Sequence, residues 1–440
     1  MRKVFFFTCS FIFFVSLQAQ NWQRVGGGLP PFPTMFRSFT SDTSYLYVGL
    51  GTSGPPSPHP LREWNGTQWD TLGNRCNSNQ SGEGVLSMVI HQGKITASRS
   101  CGIFRWSGVS WQSITTDAGG YLYTLNDTLY AMGGFDTIDG VPASHIAKFN
   151  GTIWSAIDTT KWYAGFIFDA IVYNGELYIG GNMYNWNGTM YNMAKWNGTQ
   201  WQPVGGNAMA GGMVHINCFE IYNGDLYVGG SFNKSAGNPS DRIARWDGTQ
   251  WLDVGGGMTS NGAQIYDMKV FNGELYVAGA FTIAGGVPIM GIAKWDGTNW
   301  CGMDFSSNNG NFPMAIEIYK NEIYIGGGFD IINGDTMNYI AKWTGGNFTD
   351  TCGNTSGINE TNFSNEINIY PNPSTGIFTI TSTEKISSIE IVNILGEKVF
   401  TSTINHQPST IDLSSHPNGI YFVHLQTEQG AANKKLILNR

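Results

Sequence analysis

The stretch that decides the fold runs Tyr173-Asn174-Gly175-Glu176-Leu177-Tyr178-Ile179-Gly180-Gly181, then Ala194-Lys195-Trp196-Asn197-Gly198-Thr199-Gln200-Trp201. Asn174-Gly175 interrupts two runs of alternating apolar residues, which is the pattern of a β-hairpin whose two central residues need positive φ. Trp196-Asn197-Gly198-Thr199 reads as a second tight hairpin of the same kind. Together they predict a strand, a tight turn, a second strand, a longer loop, a third strand, another tight turn and a fourth strand.

This unit recurs along the chain. The first phrase returns at 222–230, 271–279 and 319–327. The aromatic of the second phrase falls at Trp64, Trp106, Phe149, Trp196, Trp246, Trp295 and Trp343, 42 to 50 residues apart. Copies at such a period build a propeller or a solenoid, because one unit cannot bury its apolar face alone. Seven four-stranded units suit a closed ring. Trp22-Gln23-Arg24-Val25-Gly26-Gly27-Gly28 also repeats the fourth-strand ending seen at 201–206 and 251–257. A fourth strand that precedes the first unit is expected to complete the last, where Asn347-Phe348-Thr349 is a degenerate copy. Such a strand removes an exposed sheet edge.

Composition agrees with an all-β protein. Charged residues make up 13% and aromatics 14% of the 440-residue chain, with 58 glycines. That is too aromatic for a disordered chain, and a soluble protein usually carries about 25% charge. The net charge of −8 repels phosphate backbones, so nucleic acid is not an expected partner.

Residues 1–19 are expected to be a secretory signal peptide. Arg2 and Lys3 form its basic start, Val4 to Leu17 its apolar centre, and Leu17-Gln18-Ala19 its cleavage site. The apolar run is too short to span a bilayer, and no membrane segment is expected after it is removed. Export permits disulfides. Cys76 with Cys101 and Cys301 with Cys352 are the expected pairs, each joining neighbouring units, and Cys218 is left free.

The propeller is expected over residues 20–352. Its paired glycines at the end of the second strand, with aromatics in the third and fourth, resemble the kelch repeat. The first two copies depart from that pattern at Val48-Gly49-Leu50 and Ala97-Ser98, and the third has Phe149 for Trp. A polar linker is expected at 353–365, then a small Ig-like β-sandwich at 366–440. Strands are predicted there at 377–380, 386–392, 398–402 and 419–425.

This last region resembles the type A sorting domain of type IX secretion cargo. The resemblance rests on Ile369-Tyr370-Pro371-Asn372-Pro373 with Gly376 and on Ile391 to Val399 around Gly396. It rests also on Ile411-Asp412-Leu413-Ser414, on Pro417 to Val423 with Gly419 and Tyr421, and on Lys434-Lys435-Leu436. It implies passage through the periplasm and outer membrane by the type IX machinery, to the cell surface or the medium.

The search for catalytic chemistry is negative. His59, His91, His145 and His215 fall in different units, and no GxSxG or HExxH occurs. No cofactor or metal is expected. Asp136, Asp139, Asp330 and Asp335 lie in second-to-third-strand loops, where solvated carboxylates are the simplest reading. The long loops gather on one face of the ring, and loops on a rigid scaffold carry function. On that face Trp162, Tyr163, Tyr184, Trp186 and Tyr191 are expected to stack on sugar rings or anchor a protein. The chain therefore reads as a surface binding module for glycan or protein. The alternative is a polysaccharide hydrolase or lyase using scattered carboxylates such as Asp136 and Asp330.

Overall fold

A computed structural model describes residues 22–29, 34–52, 61–73, 84–99, 101–157, 164–184, 192–205, 215–233, 241–307, 310–345, 367–382, 386–393, 398–403, 409–427 and 430–439. Among these residues every regular element is a strand. The chain divides into two compact units, Met1–Gly353 and Asn354–Arg440.

The first unit is a seven-bladed β-propeller of four-stranded antiparallel sheets. The innermost strands are Thr34–Ser41, Val85–His91, Tyr121–Leu125, Ala164–Tyr173, Ile216–Tyr222, Gln264–Phe271 and Pro313–Tyr319. Each packs against the next around the ring, and the last packs against the first. Blade seven takes its three inner strands from Pro313–Tyr319, Glu322–Gly327 and Ile340–Trp343, and its outermost from the start of the chain, Trp22–Arg24. Trp22 pairs with Trp343, Gln23 with Lys342 and Arg24 with Ala341. The degenerate copy at 347–349 lies outside the described residues.

One aromatic pair repeats in every blade. Between third and fourth strands, Trp64–Trp69, Trp106–Trp111, Phe149–Trp154, Trp196–Trp201, Trp246–Trp251 and Trp295–Trp300 meet with ring centroids 5.0 to 5.3 Å apart. Trp22 and Trp343 form the seventh pair at 4.9 Å. The fourth-strand indole also staples blades together. Trp69 Nε1 donates to Val25 O at 3.0 Å, Trp300 Nε1 to Val254 O at 3.0 Å and Trp111 Nε1 to Leu72 O, each carbonyl lying at the end of the preceding blade. Trp22 Nε1 makes the same bond to Met303 O of blade six at 2.8 Å.

Two glycines let the closing seam pack this tightly. A Cβ on Gly26 would stand 2.0 Å from the Trp64 ring, and one on Gly326 would stand 2.1 Å from the Phe36 ring. Both aromatics belong to blade one.

The first hairpin turn has positive φ at both central residues, as at Asn174 (51°) and Gly175 (81°). The second is different from the expected one. In Asn65-Gly66-Thr67-Gln68 only the glycine has positive φ, 104°. Asn65 Oδ1 accepts the Thr67 and Gln68 N–H groups at 2.8 and 2.9 Å, and Asp247 Oδ1 does the same for Thr249 and Gln250 at 2.7 and 2.9 Å. A side-chain cap sets this turn, which is why Asn and Asp interchange there. The Asn-Gly-Thr triplets at Asn65, Asn150 and Asn197 answer to that cap.

The second unit is a sandwich of two sheets. One orders Ile367–Tyr370, Ile377–Ser382 and Ser409–Asp412; the other orders Lys398–Thr403, Ile386–Asn393, Gly419–Thr427 and Gly430–Leu438. Its core includes Phe378, Ile389, Ile391, Tyr421, Val423, Leu425 and Leu436. Tyr421, Val423 and Leu425 alternate inward along one strand while Ile420 and Phe422 face outward.

Ring closure predicts the effect of changing Trp22, which is 2% exposed. Trp22→Ala is expected to cost about 3–5 kcal/mol in chemical unfolding, the usual range for a buried tryptophan. Trp22→Phe, which keeps the ring contact but removes the donor, is expected to cost about 1–3 kcal/mol. A loss below about 0.5 kcal/mol for Trp22→Ala, the level of an ordinary surface change, would show that the strand is dispensable.

Candidate functional site

Six inner strands are bulged at the same register, and the residue after the bulge is Ser38, Ser87, Asp169, Cys218, Asp267 or Ala315. Where that side chain is polar it caps the inner strand of the next blade. Ser38 Oγ accepts Met88 N–H at 3.0 Å and Ser87 Oγ accepts Leu122 N–H at 3.0 Å. Asp169 and Asp267 accept Phe219 and Ile316 N–H, each at 2.8 Å. A neutral hydroxyl thus does the bonding in blades one and two, and a carboxylate does it in blades four and six.

Two residues further along, Glu220, Lys269 and Glu317 continue an ionisable band around the channel wall of blades four to seven. Lys269 Nζ lies 4.0 Å from Glu317 Oε2, and Ser41 of blade one donates to Glu317 Oε1 at 3.1 Å. Burial among these strands raises the carboxyls of Asp169 and Glu220 to about 7 and that of Asp267 to about 6, with mutual repulsion adding to it. Burial alone would pull the Lys269 ammonium down. Glu317, Asp267, Glu220 and Asp169 together outweigh it and hold the ammonium above its usual range. Cys218 stands at the bulge position of blade five, free and buried, and burial pushes its thiol well up.

Above this band, at the long-loop end of the channel, the inner strands of blades three to five bring aromatic rings together. Phe166 is 56% exposed and stacks parallel to Phe168 at 6.4 Å. Phe168 meets Tyr121 edge-on at 5.4 Å and His215 at 5.9 Å. Asn182 Nδ2 lies 3.3 Å from His215 Nε2. This cluster is not legible in the sequence, because Phe166 and Phe168 sit inside an apolar strand and read there as core. Phe166 and Phe168, two residues apart on one strand, face the same side.

Of the expected ligand-contacting residues, Trp162, Tyr163, Trp186 and Tyr191 lie outside the described residues. Tyr184 is placed by its backbone at the end of the second strand of blade four. Both loops in question flank the strands that carry the aromatic cluster.

Asp136 and Asp330 occupy equivalent loop positions in the non-adjacent blades three and seven, and their carbonyls accept Ala143 and Met337 N–H. They are not brought together as an acid–base pair. Asp139 donates its backbone N–H to the Asp117 carboxylate at 2.8 Å, and Asp335 lies in the small hairpin Ile331–Ile332 with Asp335–Thr336. Among the described residues no three His, Cys, Asp or Glu side chains converge on a metal-sized point. Cys101 and Cys301 are each disulfide-bonded. Their expected partners Cys76 and Cys352 lie outside the described residues.

In the sandwich, the motif residues tie the first strand's exit to the last strand. Pro371 and Pro373 both follow cis peptide bonds. Asn372 Oδ1, between them, accepts Ile437 N–H at 2.9 Å, and Ser374 exchanges bonds with Ile437 and Asn439 at 2.8 and 2.9 Å. Gly376 has φ +133°, and a Cβ there would stand 2.8 Å from the Ser414 backbone. Gly419 opens the strand in which Tyr421 is buried, and Tyr421 donates its hydroxyl to Pro417 O at 2.8 Å. Leu436 fills the core, Lys435 pairs with Phe422 across the sheet, and Gly396 lies outside the described residues.

Residues 368–439 match the family of secretion system C-terminal sorting domains. Over 94% of its length the chain is similar to the extracellular domain of the one component system BT4673 from B. thetaiotaomicron, with a TM-score of 0.51 and 11% identity, covering 52% of that chain. It is also similar to PorZ, an essential bacterial surface component of the type-IX secretion system of Porphyromonas gingivalis. There the TM-score is 0.32 and the identity 13%, over 95% of this chain and 61% of that one. The chain thus spans about half the length of the BT4673 domain, and likeness at such identities is one of fold. No curated protein matches the sequence.

The chain is therefore a β-propeller protein that carries a secretion-system sorting domain. It is exported through the type IX machinery to the cell surface or beyond.

Two outcomes follow. Deleting 366–440 is expected to leave a folded propeller retained in the cell envelope, read by fractionation and immunoblot; normal delivery of the truncated chain would contradict the role of the tail. The channel carboxyls bind protons more tightly folded than unfolded, so their contribution to stability is complete below about pH 4 and is lost as pH rises through 6 to 7. Thermal unfolding is expected at a higher temperature at pH 5 than at pH 8. Asp169→Asn with Asp267→Asn should narrow that gap, and an unchanged gap would contradict the assignment.

Proposed function

We propose that the protein is an extracellular binding module that holds a saccharide at the long-loop mouth of its propeller. The observation that carries this reading is Phe166, a large ring left 56% exposed on an inner strand and stacked on a second ring. An apolar ring in water at the mouth of a channel costs free energy unless something covers it. Asn182 and His215 supply polar groups beside the rings, and aromatic faces with a few polar groups are the chemistry of a sugar site.

Trp162, Tyr163, Tyr184, Trp186 and Tyr191 support the reading from sequence, since their loops enter and leave the strands of the same blade. A rigid ring of blades beneath fixes the platform, so binding need not order the scaffold. Asp136 and Asp330 do not form a pair, which favours binding over hydrolysis.

A glycan array on the mature chain identifies the saccharide, and titration calorimetry on the hit tests the site. Phe166→Ala is expected to weaken binding by about 1–3 kcal/mol, by analogy with stacking of bases on aromatic side chains. Trp162→Ala should lose a similar amount with the fold intact. Unchanged affinity in both variants, confirmed as folded by circular dichroism, would place the site elsewhere.

A further inference from the structure

The seam where blade seven meets blade one carries a groove of about 430 Å³ on the tight-turn side of the ring. It lies in blades seven and one, away from the Phe166 cluster of blade four, and is independent of the reading above. Its walls include the Tyr319, Tyr324 and Trp64 side chains and three cations, Arg24, Lys320 and Lys342, against one carboxylate, Glu322.

The repeat supplies its own control for which of these groups the fold requires. Lys342 Nζ bonds Glu322 Oε1 at 2.8 Å, and the same pair recurs as Lys195–Glu176, Arg245–Asp225 and Lys294–Glu274 at 2.8 to 2.9 Å. Tyr324 donates to Glu322 as Tyr276 donates to Glu274, each at 3.0 Å. This ion pair is part of the blade.

The other two cations are not. Lys320 takes the first position of the hairpin turn, which blades four, five and six fill with Asn174, Asn223 and Asn272. Arg24 takes the third position of the outermost strand, held by Pro203 in blade four and by Asp253 at the same point of blade five. Two positive charges have thus been placed at one seam of a chain whose net charge is −8.

Both have charge to spare. Lys320 Nζ donates to a backbone carbonyl, Asn65 O, at 2.9 Å and lies 5.0 Å from the Tyr319 ring centre. Neither contact neutralises it. Arg24 has no ion-pair partner among the described residues, and it lines both this groove and a second cavity beside Asp335 and Met337.

We propose that this seam binds an acidic saccharide, its carboxylates held by Arg24 and Lys320. The groove is too large for a lone inorganic anion and falls in the usual range, about 300–1,000 Å³, of sites for small organic ligands. Guanidinium and ammonium groups beside the exposed polar side chains of Gln23 and Thr67 match a uronic acid, which offers a carboxylate among hydroxyls. Closing the ring with the N-terminal strand is what brings Arg24 to Lys320, so the site exists only in the closed propeller.

Calorimetric titration of the mature full-length chain with tetragalacturonate, and with its fully methyl-esterified form, tests this. The acid should bind, weaken as salt is raised, and bind at least about tenfold more tightly than the ester, since one charge-assisted bond is worth roughly a factor of ten. Lys320→Asn and Arg24→Ser place uncharged residues of the kind the other blades use at these points, so the fold should hold. Each is expected to weaken binding by about three- to tenfold, and the double variant to lose it at millimolar ligand. Asn223→Ala at another seam should change nothing. No binding of the acid by the unaltered chain, equal binding of the ester, or wild-type affinity in the double variant would each overturn the proposal. A Phe166→Ala variant that still binds the acid normally keeps this site distinct from the channel mouth.

Discussion

Everything in the propeller depends on Trp22 standing where a seventh fourth-strand tryptophan must stand. Six blades make their aromatic pair from residues close in sequence, and blade seven makes it from the two ends of the domain, Trp22 and Trp343. The indole then bonds Met303 O of blade six while Val25 O receives Trp69 of blade one, so the four residues 22–25 lock both seams of the last blade. The entropy of closing so long a loop grows only with the logarithm of its length. One well-packed strand with two staples offsets it, and the last blade has four strands like the other six.

The blades were legible because each repeats the same turn chemistry and the same tryptophan, and the stray copy at 22–28 pointed to closure. What could not be read was local geometry that depends on a side chain rather than on the backbone. Asn65 and Asp247 look like residues of a two-residue hairpin, and only the caps to Thr67 and Thr249 show a different turn. In the sandwich, Ile367–Tyr370, Ser409–Asp412 and Gly430–Leu438 escaped the reading. The first two are short, and the last opens on Ala431-Ala432-Asn433-Lys434-Lys435, with no apolar alternation to announce a strand.

The sites divide in the same way. Aromatic loop residues were legible as such, but the Phe166–Phe168 platform was hidden inside a strand, where an apolar residue reads as core. The channel band was hidden too, because a single Asp169 or Glu220 in a β-strand resembles ordinary alternation. Register against the neighbouring blades separates them: Ser38 and Ser87 do with a hydroxyl what Asp169 and Asp267 do with a carboxylate. A repeat protein carries its own reference set, and departures from that set, such as Lys320 and Arg24, mark where one blade has acquired something the fold did not need.

The central claim is that the N-terminal strand is a full member of the last blade, and hydrogen exchange tests it most directly. In the mature chain those backbone amides of Trp22–Arg24 that donate to Ile340–Trp343 should exchange as slowly as those of Glu322–Gly327, the second strand of the same blade, because both open only when the ring unfolds. Exchange of these Trp22–Arg24 amides at the rate of an unstructured end, with Glu322–Gly327 still protected, would show a ring that closes without this strand and would contradict the account.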